Sequence, residues 1–156
     1  MALNSRNEFI RRTYKLLEQY DSFALDEHER YEITLRLNAC VGLLLVGRQH
    51  MTSKIPDAKL ESIGLSTESV ITCKDNKGED ECVTTLAVSR HLRNAVAHAR
   101  FDFGNEKNVI RTITFHDKRG RIETFNMTLS CKEFIVLTDW LFKVFGEQDR
   151  KTLTAI

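Results

Sequence analysis

Apolar residues recur at spacings of three and four over most of this chain, and that period predicts helices. From Ser5 to Tyr20, Phe9, Ile10, Tyr14, Leu16 and Leu17 line one side, with charged residues between them. A second helix is expected from Asp26 to Arg48. Asp26 is placed to cap it, and Glu27 and Glu29 fall in its positive first turn. Its first half is periodic through Tyr31, Ile33, Leu35 and Leu37. Its second half, NACVGLLLVG, is apolar nearly all round and so predicts the buried central helix. The pattern then dissolves from His50 to Glu81, a stretch holding the only proline, Pro56, and the charged run KDNKGEDE. A short helix over Asp57–Ile63, capped by Asp57, is expected inside it. A connection of this length is functional, partly disordered, or structured in a way the pattern does not show.

Periodicity returns from Glu81 to Ala99, where Val88, Leu92, Ala95, Val96 and Ala99 gather on one side. Next come Val109–Phe115 and Arg121–Met127, rich in β-formers with partial alternation. They flank His116–Gly120, which reads as the turn of a hairpin. A last helix is expected from Cys131 to Phe145. Ser130 and Glu133 make a capping box at its start, Phe134, Leu137, Leu141 and Val144 form its apolar stripe, and Gly146 stands where a helix stop belongs. The expected architecture is mainly α: one domain over residues 1–156, a helical bundle with a small β-hairpin between the last two helices. Phe9, Phe23, Phe101, Phe103, Phe134 and Phe142 are expected in its core.

Composition narrows the function classes. Hydrophobic residues make up 42% and charged residues 29% of 156, a balance that predicts a packed domain. With 23 basic against 22 acidic side chains, overall charge gives no pull toward nucleic acid or an anionic membrane, so a phosphate site must be a local cluster. Cys40, Cys73, Cys82 and Cys131 are scattered, with no zinc-type spacing, and read as reduced thiols; a Cys73–Cys82 bridge is the alternative. The first fifteen residues contain no apolar signal region, and the run Ala39–Val46 is too short to span a bilayer, so the expectation is a cytoplasmic chain with no membrane contact. Neither a Gly-rich phosphate loop nor a GxSxG elbow occurs.

Chemistry concentrates in SRHLRNAVAHAR, which holds Arg90, His91, Arg93, Asn94, His98 and Arg100. At about 100° per residue, His91, Asn94 and His98 share a face opposite the apolar one, and Arg93 points to the flank. An imidazole can shuttle protons at neutral pH, a guanidinium can grip a phosphate through two parallel hydrogen bonds, and a carboxamide can orient either. Together they suffice to cleave RNA through attack of a 2′-hydroxyl on the adjacent phosphorus. That reaction needs both a base and an acid. A two-fold dimer would supply the pair by bringing two copies of His98 together.

Arg93-Asn94-x-x-x-His98 resembles the R-x4-6-H motif of the HEPN superfamily (higher eukaryotes and prokaryotes nucleotide-binding domains), in which a polar residue such as Asn often follows the arginine. The resemblance is loose over residues 6–146 and closer over 30–48 and 82–103. The order of elements looks like a HEPN branch with a β-hairpin after the motif helix, found on bacterial mobile elements such as plasmids. It implies a HEPN-like helical bundle, homodimerisation through the motif helices, and metal-independent endoribonuclease activity in a toxin, defence or RNA-processing setting, with no cofactor. Carried onto this chain, it makes Arg93, Asn94 and His98 the catalytic candidates and RNA the substrate, cut to leave 2′,3′-cyclic phosphate ends. Arg90, His91 and Arg100 are the candidates for holding RNA, and a partner antitoxin or regulator is left undefined. Many toxin-type members carry a tyrosine two residues after the histidine, and here that place is Arg100.

Other readings stand beside this one. A non-catalytic module that binds RNA or a nucleotide would use the same arginine, and a pure dimerisation protein would use Arg93 and His98 to hold an interface. His98 can also serve simply as the cation at a helix C-terminus. Taken alone, Arg90 and His91 read as surface residues, and His28, His50 and His116 as histidines without partners. The Lys118, Arg119 and Arg121 cluster reads as a solvated turn that can touch phosphate.

Overall fold

A computed structural model describes residues 5–23, 32–46, 55–107 and 109–153. Among these residues there are four helices, α1 (Ser5–Asp21), α2 (Glu32–Val46), α3 (Thr85–Ala97) and α4 (Cys131–Leu153); α3 and α4 pack on an antiparallel sheet, α2 packs on both of them, and α1 packs on α2 and α4. The strands of the sheet are β1 (Val70–Cys73), β2 (Phe101–Glu106), β3 (Val109–Arg119) and β4 (Ile122–Ser130), in the order β1-β4-β3-β2. Among the described residues no helix is long and apolar enough to cross a membrane.

This architecture corrects the expected helical bundle with a small hairpin. The hairpin exists, with Thr114 opposite Thr128 and His116 opposite Asn126, but it is the centre of a four-stranded sheet. β2 escaped the pattern because FDFGNE is rich in Asp, Gly and Asn, which individually disfavour strands. It is held instead by pairing with β3, from Phe101↔Phe115 to Glu106↔Val109. β1 is only four residues long and lies inside the supposedly irregular connection. The predicted turn was also misplaced. His116–Arg119 continue β3, and the chain reverses at Gly120, whose φ of +61° suits glycine.

The sheet buries Ile113, Phe115, Phe125, Met127 and Leu129 completely. Leu92 and Ala95 of α3 and Phe134, Leu137 and Leu141 of α4 cover them, and Cys40, Leu43 and Leu44 of α2 complete the core. Burial pushes the Cys40 thiol up to about 12, so it behaves as a small apolar side chain. The other three cysteines are also free thiols. Phe134 and Phe142 lie in the core as expected, whereas Phe9, Phe23 and Phe103 are substantially exposed.

Several ends differ from the pattern. The proposed N-cap at Asp26 lies outside the described residues, as do His28 and His50. The short helix near Asp57 is a single 3-10 turn, Leu60–Ile63, closed by left-handed Gly64. α4 runs through Gly146 to Leu153, because an internal glycine weakens a helix without stopping it. Its capping box is as read: Ser130 N–H donates to Glu133 Oε2 at 2.8 Å, and Glu133 N–H to Ser130 Oγ at 3.3 Å.

A buried arginine ties the helices together. Arg36 of α2 donates from Nη1 to Asp139 at 2.6 Å, from Nε to Glu32 at 3.0 Å and from Nη2 to Asp21 at 3.3 Å, thus engaging α4, α2 and α1. Its side chain is only 5% exposed, while Asp21 and Asp139 remain about half solvated. Removing the cation leaves three acids facing one another across a gap. Arg36→Ala is expected to cost about 2–3 kcal/mol in urea unfolding. A change below roughly 0.5 kcal/mol would show the cluster to be dispensable.

Candidate active site

The motif segment is shaped by the two ends of α3. At the start, Thr84 is the N-cap, its side chain accepting from Ala87 N–H at 3.3 Å. Thr85 is buried and clamps the preceding connection, with its hydroxyl donating to the Pro56 carbonyl and accepting from Ala58 N–H at 3.1 Å. At the far end His98 is the C-cap. Ala99 N–H donates to the Val96 carbonyl at 3.2 Å and Arg100 N–H to the Ala95 carbonyl at 2.8 Å. This is a Schellman closure, with Ala99 in the left-handed region at φ +51° where glycine is usual. The next step is fixed by the sheet, since His116 N–H donates to the Arg100 carbonyl at 2.9 Å.

The side chains of the segment then divide into two groups. His91 is buried, correcting its reading as a surface residue. Its ring stacks on Phe125 with centroids 4.8 Å apart, and its Nδ1 donates to Asp117 Oδ2 at 2.9 Å. Its Nε2 lies 3.0 Å from the Lys74 carbonyl oxygen and 3.1 Å from Arg90 Nη2. Arg90 is half-buried and doubly bonded to Glu81, with Nη1 to Oε1 at 3.1 Å and Nη2 to Oε2. Arg100 donates to the Lys118 carbonyl at 3.1 Å and lies 3.6 Å from Asp117 Oδ1. These three candidates are thus bonded within the fold.

Arg93 and His98 are different. The Arg93 guanidinium donates to Asn94 Oδ1 at 3.1 Å and meets no carboxylate among the described residues. The His98 imidazole is exposed and has no partner among them. Asn94 joins them to the interior: its Oδ1 accepts from Arg93, its Nδ2 donates to Asp117 Oδ2 at 2.9 Å, and its main-chain carbonyl accepts from His98 N–H at 3.1 Å. The structure therefore places Arg93, Asn94 and His98 together at one helix end.

Asp117 was read from sequence as part of a turn. It is instead a buried strand residue, 5% exposed, at a bulge between Asp117 and Lys118. Burial alone would raise its carboxyl. The hydrogen bonds from His91 and Asn94, the charge of His91 and the Lys118 N–H (2.8 Å to Oδ1) together bring it below the ordinary carboxylate range. The clue available in sequence was the period of two, which puts Asp117 on the same sheet face as Ile113 and Phe115. His116 is likewise not alone, since its Nδ1 lies 2.9 Å from Glu123 and its Nε2 3.5 Å from Asp102.

Cys73, Glu81 and His91 bring three ligand-type atoms within 4.8 Å of one another, although the sequence spacing gave no hint of it. The Arg90 guanidinium is the cation between Glu81 and His91, so a metal ion binding there would have to displace it. Burial, with the nearby Glu81 charge, also pushes the Cys73 thiol up to about 11, away from the thiolate a metal takes.

Two consequences can be measured. Asp117→Asn keeps the shape but loses the charge that His91 and Asn94 donate to, and is expected to cost about 2–3 kcal/mol. Because the folded carboxyl sits below its unfolded value near 4, its stabilisation is full above that value and is lost as pH falls through the folded one. The variant's stability should thus change less between pH 5 and pH 2; an unaltered acid limb would count against this account. Ala99→Gly relieves the left-handed strain and should raise stability by about 0.5–1 kcal/mol, read from the urea midpoint.

No curated protein and no solved structure matches the chain. The family model described as HEPN pEK499 p136 matches residues 1–152, and the chain belongs to that family.

Proposed function

We propose that this protein is a metal-independent endoribonuclease whose site is completed in a two-fold dimer by Arg93, Asn94 and His98 of both copies. The observation that carries the reading is the division of cations. Arg90, His91 and Arg100 are bonded within the fold, while Arg93 and His98 are left for a ligand. The family assignment agrees with a nuclease or nucleotide-binding role.

One His98 takes the proton from a ribose 2′-hydroxyl. The O2′ atom then bonds to the adjacent phosphorus as the bond to the 5′ oxygen breaks, and the second His98 delivers a proton to that leaving oxygen. The products are a 2′,3′-cyclic phosphate and a 5′-hydroxyl. Arg93 neutralises charge on the non-bridging oxygens as it builds. Asn94, held by Asp117, fixes where that guanidinium lies. Arg90 and His91 support this arrangement from beneath, and Arg100 joins it to β3. Uncontrolled RNA cleavage suits a toxin or defence role on a plasmid or other mobile element, restrained by a regulator.

The test is cleavage of an end-labelled, mixed-sequence RNA in EDTA. Wild type should yield cyclic-phosphate ends with a bell-shaped pH profile, since the two histidines act in opposite protonation states. His98→Ala should be slower by about 10²–10⁴ and Arg93→Ala by about 10²–10³. An unchanged rate in His98→Ala would sink the assignment. RNA binding that weakens in Arg93→Ala, with no cleavage at any concentration, would instead identify a non-catalytic binding module.

A further inference from the structure

We infer that the tip of the β3–β4 hairpin is a binding arm for the phosphate backbone of single-stranded RNA, held in fixed relation to the motif end of α3. The inference rests on the ribonuclease reading for the identity of its ligand, and on separate residues for its evidence.

The tip carries Lys118, Arg119 and Arg121, all exposed, around the reversal at Gly120. Glu123, bonded to His116 at 2.9 Å and to Asn126 at 3.3 Å, also faces Lys118 across the strand pair and offsets part of its charge, so the arginines carry the tip's charge. Arg119 and Arg121 meet no carboxylate among the described residues. Between these cations Ile122 is 62% exposed and offers an apolar surface to a base. A nearly neutral chain thus presents a local concentration of positive charge, which is what a polyanion requires.

Position makes this more than a solvated turn. The Arg100 guanidinium donates to the Lys118 carbonyl at 3.1 Å, and Arg100 is two residues beyond His98. The Asp117 carboxylate accepts from Lys118 N–H through Oδ1 and from Asn94 through Oδ2. The tip and the Arg93–Asn94–His98 end are therefore joined through one side chain. A strand gripped at the arm has its neighbouring phosphates delivered toward the helix end. Flexible single strands can follow that bend, and backbone contacts of this kind position a substrate without reading its sequence.

The experiment uses His98→Ala as background so that the RNA stays intact. Binding of a 5′-labelled 20-nucleotide uridine-rich RNA is measured by fluorescence anisotropy at several KCl concentrations, with and without Arg119→Glu/Arg121→Glu. The double variant should bind at least tenfold more weakly. Its log K against log salt should be shallower by about 1.4, because each phosphate that an arginine neutralises on a single strand adds about 0.7 to the slope. With His98 intact, the same pair should raise KM with kcat within about threefold, as expected of binding away from the reacting bond. Arg119→Gln/Arg121→Gln should act in the same direction, which keeps the test valid if charge reversal disturbs the hairpin. Equal affinity and slope with and without the substitutions would overturn the arm while leaving the ribonuclease reading intact. No RNA binding by the His98→Ala protein at low salt would also overturn it. Arm-dependent binding with no cleavage by wild type would support the arm and remove the ribonuclease.

Discussion

A carboxylate buried in a protein interior is costly unless donors surround it, and Asp117 is surrounded. Its Oδ2 accepts from His91 and Asn94 on α3, and its Oδ1 accepts from its neighbour's main-chain N–H and faces Arg100. One side chain therefore joins the motif helix to the hairpin. The strand bulge next to it matters for the same reason, since it lets the following N–H turn back to the carboxylate. Any change in the seating of α3 on β3 would break at least one of these bonds, so the helix end is fixed to the sheet by charge as well as by packing.

That constraint explains which cations are available. Acidic partners within reach of the segment are few, and the fold assigns them: Glu81 to Arg90, Asp117 to His91 and Arg100. The Arg93 guanidinium has only an amide oxygen, and the His98 imidazole has no partner among the described residues. An amide orients a guanidinium without neutralising it, leaving its charge for a phosphate. The left-handed Ala99 adds a small strain at the same place, and it persists because the Arg100–His116 main-chain bond holds the turn closed.

The helical part of this fold was legible because period 3.6 reports burial directly. Leu92, Ala95 and Val96 announced the core face of α3, and Ser130 with Glu133 announced the start of α4. The sheet was half legible. β3 and β4 carry β-branched and aromatic residues, whereas β2 exists through its partner, and tertiary pairing does not appear in local composition. His91 shows a subtler limit. It borders the buried face instead of lying opposite it, with Ala87, Val88 and Ala95 beside it on the helix, and a polar residue there is buried when neighbouring elements supply hydrogen bonds. The Lys74 carbonyl and the Asp117 carboxylate do so from positions remote in sequence. The Arg93–Asn94–His98 grouping was legible because it is local. Asp117 was not, because Lys118-Arg119-Gly120 after it resembled a turn.

Coverage of α3 also restricts how a second copy could reach it. α2 packs on one side of this helix and β3 on another. Leu86, Arg90, Arg93 and Ala97 remain partly or fully exposed, at spacings of four, three and four, which makes a single stripe along the helix. In the proposed dimer two such stripes would cross about a two-fold axis. Ala97, small and exposed, would permit close approach beside His98, and Arg93 would stand on the seam facing its counterpart. Two guanidiniums brought together without carboxylates repel each other. That arrangement is favourable only when an anion lies between them, so in this geometry a phosphate group would help to assemble the site that acts on it.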